Sequence, residues 1–340
     1  MLQVTSAVPA QPMNDFTILV LEGAFAASVA ATVSILGAAR KLAPRLGVPV
    51  PNWRLASVHG GTVVLQDGMS ASTGRLADRT GADASMWIVP GLGLDSPKAI
   101  QQYLCRDDAK AAVDSVRQHA QAGGSVAASC SGVFVLCAAG LLAGKRATTA
   151  WWLAPELRRL APDCRVDADR MVCVDAQVVT AGAAFAQTDL MLHLLRTLSG
   201  KALADAVSRA LLIDGRQAQA PFIVPEAYAS GDDLIGRLAA RVEATLPDLP
   251  TVGELAREFC MSERTLARHV KRATGKSPMA LLQSVRQRRA RALLESSRMT
   301  VEQVASAVGY QDATALRRLM LRVAGASPSR FRAASAVATP

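Results

Sequence analysis

Two groups of residues in this chain have the types and spacing to do chemistry. The first is Ser129-Cys130-Ser131-Gly132, set between the apolar runs Ser125–Ala128 and Val133–Ala143. A cysteine between small residues on a sharp strand-to-helix turn is placed as a nucleophile. The turn presents the sulfur, and the start of the following helix favours a thiolate. Such a nucleophile also needs a base beside the thiol. The four histidines, His59, His119, His193 and His269, do not share a motif with Cys130. Without a base, such a cysteine reads as packing.

The second group is a set of arginines written twice. Leu266, Arg268, Val270, Arg272, Gly275, Ser277, Pro278 and Leu281 recur fifty positions later as Leu316, Arg318, Met320, Arg322, Gly325, Ser327, Pro328 and Phe331. Ahead of them, Thr251-x-x-Glu254 and Thr300-x-x-Gln303 repeat at an offset of forty-nine, the slip falling around Gly309-Tyr310-Gln311. A repeat that keeps caps, apolar spacing and arginines together marks one structural unit used twice. Guanidinium forks at fixed places on a helix are suited to base edges and phosphates.

Those arginines need helices to hold them. Each copy predicts a helix, a tight turn and a second helix. The first copy spans about Val252 to Phe259, a turn at Cys260-Met261, and a helix from the cap Ser262 to Thr274. The Thr-x-x-Glu and Thr-x-x-Gln pairs are capping boxes, which satisfy free amides at a helix start. Leu266 and Val270, four apart, form the buried stripe of the second helix. The second copy runs Val301–Val308 and Ala313–Val323, with Asp312 as cap. One helix, Pro278–Ser296, joins the copies. Its Leu281, Leu282, Val285, Leu293 and Leu294 face inward, while Arg286, Arg288, Arg289 and Arg291 lie largely outside that stripe. The whole chain carries a net charge of +10. From Thr251 onward there are sixteen Lys and Arg against six Asp and Glu, so the first 250 residues are neutral. Concentrated on helix-turn-helix units, that charge points to double-stranded DNA as a partner.

The pattern S-x-R-x-L-x-R, G-x-SP, VA-x-x-x-GY and G-x-SP-x-x-F-R resembles the DNA-binding domain of AraC/XylS-type transcription regulators over about residues 248–333. The resemblance implies that both second helices enter adjacent major grooves. By position, the base-edge readers are Arg264, Ala267 and Arg268, then Ala313, Thr314, Arg317 and Arg318. Lys271, Arg272, Lys276 and Arg322 fall to phosphates. Val270 and Met320 replace the aromatic usual there, and Ala267 and Ala313 offer no hydrogen bond.

Residues 1–14 read as a disordered tail with no positively charged leader. From Asp15 to about Leu198 strands alternate with helices: strands at Phe16–Leu21, Trp53–Val58, Thr62–Leu65, Met86–Val89 and Ser125–Ala128, helices at Ala24–Ala39, Lys98–Ala122 and Val133–Ala143. This predicts an α/β sandwich with a mainly parallel sheet, of flavodoxin-like layout. Sites in such sheets lie beyond the strand C-termini. One rim therefore carries Glu22 or Gly23, Gly91–Gly93 and Cys130. The uncharged stretch Val126–Gly144 parses as strand, turn and helix, not as a membrane span. Six cysteines without C-x-x-C spacing suggest neither zinc nor disulfides, and reduced cytosol fits. No metal or cofactor is expected.

Around the elbow, IVPG, GLLAGKRATTAWW and VVTAGAAFAQTDLMLHLL resemble the ThiJ/PfpI, or class I glutamine amidotransferase-like, domain. Placed ahead of an AraC-type domain, this is similar to the GlxA subfamily of regulators. The resemblance argues against catalysis: Ala150 stands where the catalytic histidine is usual, and about Ser28 where an acid is. It implies a vestigial elbow kept as a ligand pocket formed by Gly91, Leu92, Cys130, Ser131, Gly132 and Trp151. Amides at Ser131 and Gly132 favour an anionic group, and a tryptophan face a cationic head. Amino acids and quaternary amines lead the list of effectors.

The expected organisation is a sensing and dimerisation domain over 15–200, a linker and connecting helix over 201–247, and the DNA-binding domain over 248–335. Gly215–Gly231 reads as extended and Asp232–Leu246 as a short helix. The reading is a cytoplasmic, dimeric, non-enzymatic transcription regulator that answers a small molecule, with RNA polymerase as a further partner. A cysteine-dependent amidase with a DNA-binding domain, and a DNA-binding protein with an inert front domain, are the alternatives.

Overall fold

The computed structural model describes residues 15–76, 84–213, 216, 219, 233–274, 277–324, 327 and 328. It has two compact parts. One comprises Met1–Thr149, Asp163–Arg165 and Val172–Gly215; the other comprises Ala150–Pro162, Val166–Met171 and Arg216–Pro340.

The first part opens with β1 (Asp15–Leu19), α1 (Ala26–Leu42), β2 (Asn52–Ser57), β3 (Gly61–Val64), β4 (Ser70–Arg75) and β5 (Met86–Val89). Helices α2 (Pro97–Leu104) and α3 (Asp107–Gln121) lead to β6 (Val126–Ser129) and α4 (Val133–Ala138). The chain continues through β7 (Arg146–Ala147), α5 (Ala154–Leu160), which is grouped with the second part, and β8 (Arg165–Val166). It ends with β9 (Val172–Asp175), β10 (Val178–Ala181), α6 (Ala186–Leu198) and α7 (Lys201–Ala210).

The main sheet has the order β3-β4-β2-β1-β5-β6-β10-β9. All pairs from β4 to β10 are parallel, and only the edges β3 and β9 run antiparallel. Every residue of β5, β6 and β10 is buried, as parallel strands covered on both faces require. Helices α1, α6 and α7 pack together, as do α2, α3 and α4. The α/β sandwich with a mainly parallel sheet is therefore present.

Several local expectations change. The helix read over Lys98–Ala122 breaks at Arg106, which is extended (ψ 147°) and whose guanidinium bonds Asp108 in the new first turn. The helix from Val133 stops at Ala138, because Gly140 takes a φ of 78°. Strand β4 escapes pattern reading because Ser-Ala-Ser-Thr-Gly-Arg has almost no apolar alternation. Helix α1 with its following turn is apolar and long enough to span a membrane. It buries Val29, Thr32, Ile35, Leu36 and Ala39, as a core helix does. Lys201–Ala210, expected within the linker, is α7 and buries Leu203, Ala204 and Val207.

In the second part, α8 (Asp233–Ala244) precedes α9 (Val252–Glu258), α10 (Glu263–Thr274), α11 (Pro278–Ser296), α12 (Val301–Ala307) and α13 (Ala313–Ala324). Both capping boxes are formed: the Thr251 and Thr300 hydroxyls accept from Glu254 and Gln303 amides, and those side chains reach back. Two small cores result. Leu234, Ile235, Leu238, Ala239 and Val242 of α8 join Leu255, Leu266, Val270, Leu281, Leu282 and Val285 in the first. Ala290, Leu294, Val304, Val308, Leu316 and Met320 make the second. Helix α8 is thus a wall of the first core, where sequence alone offered a connection. Of the extended stretch expected over Gly215–Gly231, all but 216 and 219 lies outside the described residues.

Candidate functional site

Each second helix of the duplicated unit buries one stripe and exposes the other. In α10, capped by Ser262 through the Thr265 amide (3.2 Å), Leu266 and Val270 are fully buried. Positions three and four apart share a face, so Arg264, Arg268, Lys271 and Arg272 are left exposed, with Ala267 half-buried. In α13, Asp312 caps through the Ala315 amide (2.7 Å), and Leu316 and Met320 fill the core. Thr314, Arg317 and Arg318 are exposed. Arg317 donates to Glu302 of α12 at 3.2 Å, so it is held from its own unit. Ala313 is buried at the helix start, where it packs and offers little surface to a base. Val270 and Met320 occupy their cores without an aromatic ring. Lys276 and the side chain of Arg322 lie outside the described residues.

Arg286 departs from expectation. It is only 8% exposed, although the stripe pattern of α11 placed it outside. Arg289 is exposed, and Arg288 and Arg291 are half-buried. The difference arises from a partner that helical periodicity does not contain: the turn of the second unit, to which the guanidinium donates.

At the sheet rim, Cys130 has the strained backbone of an elbow, with φ 51° in a non-glycine residue. Its amide donates to Gly182 O (2.8 Å), and its carbonyl accepts from the Thr149 hydroxyl (2.7 Å). Hydrogen bonds join neighbouring residues at this rim. Phe25 N donates to Gly91 O, Gly23 N to Val64 O, and Leu92 N and Leu94 N to the Ser131 hydroxyl. A Cβ at Gly91 would stand 3.3 Å from the Cys130 Cβ and 3.5 Å from the Ser28 hydroxyl. A Cβ at Gly132 would stand 2.5 Å from Pro90 O. Ser28 therefore does lie beside the elbow, where it donates to Ala184 O at 3.3 Å. The Glu22 carboxylate accepts from Val64 N (3.3 Å) instead.

The thiol itself is not activated. Burial pushes it up to about 11, against weaker opposing hydrogen bonds from the Ser131 amide and hydroxyl. Cys130 is 4% exposed, so burial works against the thiolate that a helix start would favour. Desolvation outweighs those hydrogen bonds. The Ser131 amide is directed to the Cys130 sulfur. The histidines lie elsewhere: His59 in the β2–β3 turn, His193 on α6 and His269 on α10. His119 of α3 stacks on Trp87 at 4.3 Å. Of the six residues expected to form a pocket, Gly91, Leu92, Cys130, Ser131 and Gly132 come together in the first part, all buried. Trp151 is buried in the second part, edge-on to Trp152 at 5.4 Å, and Ala150 is grouped there too.

This predicts selective alkylation. Iodoacetamide at pH 7.5 should modify the exposed Cys105 and Cys260 and leave Cys130 intact until pH nears 11. Because the folded thiol holds its proton above the ordinary value of 9.0, the stability it contributes is complete below that pH and is lost as pH rises to about 11. Modification of Cys130 at pH 7.5 as fast as Cys105 would refute the burial argument.

Comparison with known proteins covers both parts. Residues 33–197 match the DJ-1/PfpI family, and residues 255–334 match a helix-turn-helix domain. The chain is 27% identical over 308 residues to the HTH-type transcriptional regulator GbdR of Pseudomonas aeruginosa, covering 89% of this chain and 80% of that one. It is 26% identical over 331 residues to the regulator CdhR of the same species, covering 96% and 94%. To the regulator GlxA of Rhizobium meliloti it is 26% identical over 280 residues, covering 80% and 82%.

Proposed function

From a chain that joins a DJ-1/PfpI-family domain to an AraC-type helix-turn-helix domain, we infer a sequence-specific DNA-binding transcription regulator whose first domain senses a small metabolite. The observation that carries this is the duplicated helix pair, with Arg268 and Arg318 exposed at equivalent places opposite equivalent buried stripes. In this reading Arg264 and Arg268, then Thr314, Arg317 and Arg318, meet base edges, while Lys271 and Arg272 meet phosphates. The first domain acts without catalysis, a reading supported by a protonated Cys130 thiol and by Ser28 in place of an acid. The effector site lies at the elbow rim by Gly91, Leu92, Cys130, Ser131 and Gly132. Amino acids and quaternary amines are the first candidates. We place the protein in the cytoplasm as a homodimer acting on RNA polymerase. Two copies would bring two DNA-binding domains to one duplex and raise affinity through effective concentration.

The experiment is selection of a duplex from a random library by the full-length protein, followed by titration of that duplex. Arg268→Ala and Arg318→Ala should each cost about 1–3 kcal/mol on it and relax preference at their own base pairs. Lys271→Ala should weaken all duplexes alike and make the salt dependence shallower. Equal losses on random DNA for the arginine variants would refute the base-reading roles. Repeating the titration across amino acids and quaternary amines identifies the effector as the compound that shifts the Kd.

A further inference from the structure

We propose that Arg286 is the positioning residue that fixes the two helix-turn-helix units relative to each other, and so sets the spacing at which they read DNA. The proposal rests on the regulator reading above.

The two cores of the second part share a single element, α11: Val285 belongs to the first core and Ala290 to the second. Arg286 sits at the boundary between them. Its Nε donates to Val308 O at 2.8 Å and its Nη2 donates to Gly309 O. The guanidinium also lies on the Tyr310 ring, with Cζ 3.7 Å from the ring centre. The Tyr310 hydroxyl donates to Gln283 Oε1 at 2.8 Å. Gln283 and Arg286 are three apart on α11 and grip one turn together. That turn, Val308–Tyr310, sits between α12 and the recognition helix α13.

The N-terminal half of α11 is locked into the first core by Leu281, Leu282 and Val285. Through Gln283 and Arg286, the same half also holds the turn of the second unit. Any rotation of the second unit about α11 must break three polar contacts, one of them buried and two partly buried, and a buried carbonyl left unsatisfied is costly. A lysine ammonium is a flexible point charge, whereas the planar guanidinium holds two donors in a fixed fork while lying flat on a ring. Nineteen residues of α11 span roughly 28 Å, close to one turn of DNA, about 34 Å. A fixed angle across that length is what adjacent major grooves demand.

The test uses full-length protein and a duplex selected by the wild type, together with the same duplex carrying half a helical turn inserted between the two half-sites. The wild type should lose affinity on the insertion by about tenfold or more. Arg286→Met should bind the selected duplex more weakly and lose most of that insertion penalty, with Arg286→Lys in between. Tyr310→Phe and Gln283→Ala, which keep the fold and remove one contact of the grip, should move the same way by less. A merely structural arginine would weaken both duplexes equally, so an unchanged insertion penalty in Arg286→Met overturns the proposal. Should Arg286→Met lack a cooperative melt, an unchanged penalty in both Tyr310→Phe and Gln283→Ala overturns it. Enrichment of no duplex by the wild type would overturn the regulator reading itself.

Discussion

A fragment of residues 248–340 is expected to show no cooperative unfolding transition, whereas a fragment of residues 231–340 melts sharply. The family resemblance places the domain start near residue 248, but α8 buries Leu234, Ile235, Leu238, Ala239 and Val242 in the first core. Burying each large aliphatic side chain contributes about 1.5–3 kcal/mol, so the four larger ones contribute roughly 6–12 kcal/mol. Domains of this size are stable by about 5–15 kcal/mol in all. Removing α8 also opens the core that it shares with Leu255, Leu266, Leu281, Leu282 and Val285. In the full chain, Leu238→Asp should abolish DNA binding while leaving the melt of the first domain in place. A sharp transition from residues 248–340 alone would mean that α8 is an ornament to that core and not part of it.

Gly309→Ala should cost about 3–5 kcal/mol in the second part, near the upper end for a single substitution, read as a fall in its melting midpoint. Two effects add. Gly309 has φ 80°, where a side chain costs about 1–2 kcal/mol. Its Cβ would also collide with the Pro247 carbonyl oxygen and come within 3.3 Å of Arg286 Nη2. The first unit supplies the control. Cys260 occupies the equivalent turn with φ 54° and is not glycine. Left-handed backbone is therefore tolerated there, and Cys260→Gly should stabilise slightly if it changes anything. What makes glycine necessary at residue 309 is the approach of Pro247. If Gly309→Ala melts like the wild type, the packing of Pro247 on that turn is refuted.

The sequence by itself determined the features that depend on near neighbours along the chain. Capping boxes at Thr251 and Thr300, the stripe of Leu266 and Val270 and its copy, and the strands β1, β2, β5 and β6 were legible because their causes act within four residues. So was the cysteine elbow, since Ser-Cys-Ser-Gly between two apolar runs fixes a strand-to-helix turn. The exposed Arg264, Arg268 and Arg318 followed from the same periodicity.

Tertiary structure decided what depends on partners distant in sequence. The Cys130 thiol is held protonated by burial among Gly91, Ser28 and Ser131, which local helix-dipole reasoning could not weigh. Ala313 looked like a reader by position and is buried by packing. Helix α8 carries an ordinary amphipathic pattern that says it must cover something, but only the folded chain shows that it packs on α11 in a core shared with α9 and α10. Arg286 sits on the polar side of its helix by periodicity, yet it is buried because a turn twenty-two residues away supplies two carbonyls and a ring. A long side chain follows the strongest partner within its reach, and only the assembled fold determines which partner that is.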